Sequence, residues 1–213
     1  MNIADNLRNI TETLPEGVKL VAVSKFHPPE LILEAYNNGQ RIFGESRMQE
    51  LDKKHTALPK DIEWHFIGHL QTNKVKAIIP YVHTIHSVDS WKLLSEIEKQ
   101  AALLKKTVRC LLEVHIAQEE SKYGFSFDSC RTFLAANNWK ECKFAYLGGI
   151  MGMATYTDDT EQIRGAFKKL RLYFDELRSD YFPVANYFSE ISIGISSDSR
   201  IAIEEGSTLI RVV

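Results

Sequence analysis

Two basic residues near opposite ends of the chain have the types and positions that amine chemistry requires. Lys25 closes the apolar run Lys19 to Lys25 (KLVAVSK), and Arg211 lies near the end of the last such run (TLIRVV). Alternation along the first run puts Val21, Val23 and Lys25 on one face, so a strand suited to a buried parallel sheet ends in an amine. A lysine forms a Schiff base with an aldehyde only when it is neutral. Desolvation or a neighbouring cation such as Arg211 lowers its pKa toward that state. The ordinary alternative is a solvated lysine at a strand end.

Other clusters carry less chemistry. His65 and His69 are four residues apart across a strand end, roughly 13 Å if extended, too far to share one ion. Ideal alternation sends His83 and His86 to opposite faces, and no H-E-x-x-H is present. No metal site is expected. The chain has no G-x-G-x-x-G, P-loop or G-x-S-x-G, so dinucleotide, nucleoside triphosphate and serine-hydrolase readings lack support. Gly148, Gly149 and Gly152, around Met151 and Met153, fit either a flat ligand lying close to the backbone or a tight turn. Ser196 and Ser197 follow the seventh apolar run, where barrels often bind phosphate; helix capping is the structural alternative. Gly206-Ser207-Thr208 precedes the last run and is assigned a structural role.

The elements that must position these residues alternate regularly. Apolar, β-branched runs mark strands near 19 to 25, 41 to 45, 63 to 68, 83 to 88, 107 to 116, 144 to 150, 188 to 195 and 208 to 213. A helix candidate fills each gap. Pro28-Pro29 opens one that stops at Gly39. Trp91, Leu94, Ile97, Ala101 and Leu104 keep helical spacing, as do Ile163, Phe167, Leu170, Phe174 and Leu177. Eight strands separated by seven helices, with one more amphipathic helix in front, predict an α/β fold, a parallel (β/α)8 TIM-type barrel. No linker or repeat divides the chain, so residues 1–213 are expected to form one domain. In such a barrel Lys25, Glu45, Gly68, Met151, Ser196 and Arg211 converge on one mouth.

Composition narrows the partners. The 213 residues are 44% hydrophobic and 25% charged, with a net charge of -2. Basic and acidic residues are interspersed, so neither nucleic acid nor a membrane surface is an expected partner. No apolar run is long enough to cross a bilayer, and the N-terminus does not read as a signal peptide. Cys110, Cys130 and Cys142 form no C-x-x-C, which fits reduced thiols in the cytoplasm.

The segments VAVSK (21 to 25), RIFGESRMQE (41 to 50), EWHFIGHLQTNK (63 to 74), HSVD (86 to 89), ESKYGF (120 to 125), GGIMGMA (148 to 154), SIGISSD (192 to 198) and AIEEGSTLIRV (202 to 212) occur in collinear order. Together they resemble the YggS/PROSC family of pyridoxal phosphate homeostasis proteins. The resemblance implies a barrel like the N-terminal domain of alanine racemase, with pyridoxal 5'-phosphate as cofactor. It implies a Schiff base on Lys25, phosphate bound by Ser196, and Arg211 facing the pyridine nitrogen. Ser46 and Met151 complete the cofactor-binding set. A guanidinium cannot accept that nitrogen's proton, so the ring stays a poor electron sink. Two departures stand out. The family usually has asparagine where this chain has Ser46, and Val213 stands where the family has a glycine that helps bind phosphate. If the chain stops there, the phosphate site is expected to be incomplete.

The leading expectation is therefore a non-catalytic carrier or buffer of the cofactor, monomeric and cytoplasmic, supplying pyridoxal phosphate-dependent apoenzymes. The alternative is a racemase-like enzyme, which needs a second acid or base opposite the lysine; Tyr123 and Tyr156 are its loop candidates. A third reading, a barrel for another phosphorylated metabolite, leaves Lys25 as an ion-pair partner.

Overall fold

A computed structural model describes residues 2–119 and 123–213. Residues 120 to 122 of the ESKYGF segment lie outside the described residues. The eight expected strands form β1 (Lys19–Val23), β2 (Ile42–Glu45), β3 (Glu63–Phe66), β4 (Val82–Val88), β5 (Val108–Glu113), β6 (Ala145–Met151), β7 (Glu190–Ile195) and β8 (Leu209–Val212). Every pairing is parallel, and the sheet closes in sequence order from β1 to β8 and back.

Helices α1 (Ile3–Thr11), α2 (Pro29–Asn37), α3 (Met48–Ala57), α4 (Val75–Ile78), α5 (Trp91–Leu104), α6 (Phe127–Ala135), α7 (Thr160–Tyr181) and α8 (Ser199–Glu204) precede β1 and join the strands. The apolar stripe of α7 is buried as its spacing predicts, through Ile163, Phe167, Leu170, Phe174 and Leu177. Leu7 and Ile10 of α1 pack with Leu20 and Ile210, so the N-terminal helix covers the outside of the β8–β1 seam. Glu98 on α5 accepts the backbone N–H groups of Lys143, Phe144 and Ala145 at 2.9, 2.9 and 2.7 Å. That carboxylate fixes where β6 begins. Among the described residues, no helix is long and apolar enough to cross a membrane.

The main core lies between the sheet and the helices, while Val21, Leu111, Met151 and Leu209 plug the barrel's interior. Below this plug, toward the strands' N-terminal ends, the interior turns polar. Glu190 is shared there by Lys19 at 3.0 Å and Arg109 at 3.1 Å.

Register shifts interrupt four of the strand pairings, β3–β4, β4–β5, β5–β6 and β7–β8, and two of them bear on the residues singled out above. Trp64 pairs with Val82 but the next residue, His65, pairs with Thr84, leaving His83 as an extra residue in β4. Such a bulge redirects a side chain. His83 therefore stacks beside His65 at 5.8 Å, while His86 also reaches His65 at 2.8 Å. The expectation that His83 and His86 point apart fails, because period-two counting assumes no inserted residue. A second bulge lies opposite Cys110 and Leu111, at Gly148. A Cβ on Gly149 would meet the Glu190 carbonyl at 1.9 Å, and its φ of 153° favours glycine. Gly148 lies against the Arg109 side chain, and a Cβ on Gly152 would strike Leu170. These contacts favour the packing reading of the glycines over a ligand surface.

Candidate functional site

Lys25 occupies a tight turn just beyond β1. The Ser24 carbonyl accepts the His27 N–H at 3.0 Å across it, and Phe26 adopts a left-handed φ of 64°. A bulky non-glycine residue reaches that conformation only under constraint. The constraint comes from α3. Glu50 accepts the Phe26 N–H at 2.8 Å, and Lys54 donates to the Ser24 carbonyl at 2.7 Å, to Glu45 at 2.6 Å and to Glu50 at 3.2 Å. Ser24 Oγ adds a bond to the same Glu45 oxygen at 2.6 Å.

Lys54 and Glu45 are almost fully buried. Burial raises the Glu45 carboxyl above its ordinary value against the pull of Lys54 and Ser24. Burial also raises Glu50, but the Phe26 N–H and Lys54 outweigh it and hold that carboxyl low. Glu45 is thus committed to this clamp. It does not converge on the mouth with Lys25, contrary to the strand-end expectation, because it alternates with Gly44 and shares the outer side with Phe43.

Arg211 is buried inside the barrel on the strand beside β1, with Val21 as its register partner. Its Nη2 donates to the Gly152 carbonyl at 2.9 Å, while Nε is buried without a partner. Burial pulls the guanidinium down to about 10, and the flanking Asp198 and Glu113 raise it against that pull. Glu113, inward-facing at the end of β5, is pushed up to about 7 by burial and the nearby Asp89, opposed by Arg211. One of its oxygens is also buried and unpartnered. Such groups are expensive inside a protein unless a ligand completes them.

The remaining sequence candidates line the same end. Met151 ends β6 in the interior plug, directly before the carbonyl that Arg211 holds. Ser46 follows β2, and Gly68 allows close approach to it: a Cβ there would lie 2.4 Å from the Ser46 carbonyl oxygen. Ser196 is exposed in the turn after β7 and accepts the Val213 N–H at 3.1 Å. A small pocket beside it is lined by Gly194, Ser197, Asp198, Tyr156 and Arg211. Tyr123 stacks on His69 at 3.7 Å, and Tyr156 is 90% exposed. Gly206 and Ser207 lie at the opposite end, where Ser207 Oγ bonds the Ile193 carbonyl at 2.8 Å, a structural role as expected.

Sequence reasoning did not single out Glu50, Lys54 or Glu113. The helix pattern of α3 gives Lys54 no distinguishing mark. Glu113 had a signal, a carboxylate closing the apolar run VRCLLE.

The chain is similar to known proteins along its whole length. The family model of the alanine racemase N-terminal domain matches residues 1–212. A pyridoxal phosphate homeostasis protein of Aquifex aeolicus is 36% identical, covering 100% of this chain and 96% of that one. PipY of Synechococcus elongatus PCC7942, solved without and with pyridoxal phosphate, superposes with TM-scores of 0.92 and 0.89 at 34% and 33% identity. Each comparison covers 99% of this chain and 97% of PipY. Alanine racemase of E. faecalis shares the fold at a TM-score of 0.70 and 18% identity, over 99% of this chain and 56% of the enzyme. A barrel carrying an amine at one strand end and a buried guanidinium on the adjacent strand, with relatives of this identity over full length, belongs to the pyridoxal phosphate homeostasis protein family.

Proposed function

We propose that this chain binds pyridoxal 5'-phosphate at the C-terminal mouth of the barrel, anchored covalently by Lys25, and acts in cofactor homeostasis as a carrier or buffer without catalysis of its own. The observation that carries this reading is the pairing of a clamped, half-buried Lys25 with Arg211, whose Nε is buried and unpartnered on the neighbouring strand. The donor set fits the cofactor: an amine for the aldehyde, a guanidinium for the ring, and the Ser196 hydroxyl near the small pocket for phosphate. The relative PipY, 33% identical, has been solved with pyridoxal phosphate bound.

The cofactor supplies an aldehyde that reacts reversibly with amines. The residues here favour holding it. Arg211 can only donate, so a pyridine nitrogen against it stays unprotonated and withdraws electrons weakly. Ser46 and Met151 complete the proposed contacts. The reading extends to a cytoplasmic monomer serving cofactor-dependent apoenzymes, in keeping with Cys110, Cys130 and Cys142, which are free thiols.

A second reading, a racemase-like enzyme, draws on Glu113, a buried carboxyl raised to about 7 near Arg211. The test is an absorbance spectrum with added pyridoxal phosphate, before and after borohydride, beside Lys25→Ala, followed by deuterium exchange at the α-carbon of alanine. The expected result is a visible band trapped on Lys25, absent in the variant, with no α-exchange. No band in either protein overturns cofactor binding, and α-exchange abolished in Glu113→Gln overturns the carrier role.

A further inference from the structure

At the opposite end of the barrel from Lys25, the β4 bulge assembles a donor set that the cofactor reading does not use. Glu63 and His65 are alternate inward residues of β3, and His83 is the inserted residue of β4. Glu63 Oε1 lies 3.0 Å from His65 Nε2 and 3.2 Å from His83 Nδ1. One ligand atom from each of the three falls within 4.8 Å of the others. Ligand atoms about 2.0 to 2.2 Å from a tetrahedral zinc ion lie roughly 3.3 Å apart, close to both of these separations. We propose that Glu63, His65 and His83 form a binding site for a divalent transition cation, zinc by donor type, with an open fourth position.

A metal site also needs supporting bonds and an entry path. His65 Nδ1 lies 2.8 Å from His86 Nε2, and His86 Nδ1 lies 2.9 Å from Ser192 Oγ. When His65 Nε2 binds the ion, its proton sits on Nδ1 and is donated to His86. His86 in turn carries its proton on Nδ1 and donates to Ser192. Both imidazoles remain neutral and only their tautomers change, so the chain of bonds fixes the ligand ring without net proton transfer. His83 and Glu63 side chains are 43% and 33% exposed, which opens the site to solvent from below the barrel. Two features work against affinity. Thr84 Oγ1 lies 2.7 Å from His83 Nδ1 and must rotate away. Burial lowers both imidazoles, and Arg109 adds to it, although its guanidinium is engaged with Glu190 and Tyr146.

The test is zinc titration of tag-free, chelator-stripped full-length protein by calorimetry, with cobalt(II) absorbance as a second readout. The expected result is one ion per chain, at least tenfold weaker binding in both Glu63→Gln and His83→Asn, and unchanged binding in Cys142→Ser. The cobalt complex should show visible d–d bands without a thiolate charge-transfer band. Circular dichroism confirms that the variants fold; both positions are partly exposed and tolerate the change. No saturable zinc binding by the unmodified chain, or binding retained in either site variant, overturns the proposal and leaves a hydrogen-bonded relay.

Discussion

Lys54 Nζ sits 2.7 Å from the Ser24 carbonyl, so a buried ammonium on α3 holds the first bond of the turn that presents Lys25. Two separate elements are joined there by one cation whose three donors are all used, on Ser24, Glu45 and Glu50. The turn's left-handed Phe26 is held by the same Glu50. The position of Lys25 is therefore a property of α3 as much as of β1.

Lys54→Met is expected to destabilise the protein by about 3 to 5 kcal/mol, because it strands Glu45 as a buried charge. Lys54→Met with Glu45→Gln should recover part of the loss, since the second change removes that charge. Urea denaturation of both variants checks this. A single-variant loss below about 1 kcal/mol would show that the clamp is solvated and contributes little.

Gly68→Ala places a Cβ 2.4 Å from the Ser46 carbonyl oxygen and 2.8 Å from its Cα, both backbone atoms that cannot swing aside. The expected outcome is a loss of about 1 to 3 kcal/mol together with weakened pyridoxal phosphate binding, as Ser46 is displaced. Gly165→Ala in α7 is the control. A Cβ there meets nothing within 4 Å, so it should stabilise by about 0.5 to 1 kcal/mol. Equal effects at the two positions, read from thermal unfolding, would rule out the close approach as the cause.

Most of the barrel was legible because its signals are local. β-branched runs and helical spacing each report on one element, and eight alternations leave few topologies. Lys25 and Arg211 stand out as candidates for the same reason, as charged residues at or near the ends of apolar runs. The misreadings are all non-local. A bulge at His83 reverses the parity that sequence counting assigns to β4, and only the β3–β4 register reveals it. Glu45 reads as a strand-end residue like Lys25, but it faces outward to a lysine nine positions along, across a turn and into α3. Burial of Lys54 depends on that tertiary contact, which its exposed-looking sequence neighbours do not announce.

Arg211→Lys keeps the charge but loses the planar fork that bonds the Gly152 carbonyl at 2.9 Å. If the guanidinium serves the cofactor, pyridoxal phosphate should dissociate roughly tenfold more readily, about 1.4 kcal/mol of binding. The change should appear in cofactor titration monitored by absorbance, while the band trapped on Lys25 survives. An unaltered affinity would assign Arg211 to the fold alone.

Glu113 makes stability depend on pH in a defined direction. Its folded carboxyl is raised to about 7, above an ordinary value near 4.5, because the ionised form is buried near Asp89. The folded state therefore holds a proton that the unfolded chain has already lost. That contribution is fully present below the unfolded value and disappears as pH rises through about 7. Its size is on the order of 3 kcal/mol. Glu113→Gln cannot ionise, so cofactor-free variant and parent should unfold at similar urea concentrations at pH 4, and the variant should be the more stable at pH 8.5. Parallel pH profiles for the two proteins would mean that Glu113 titrates as a solvated carboxylate, and would remove it as the acid or base of the racemase-like reading.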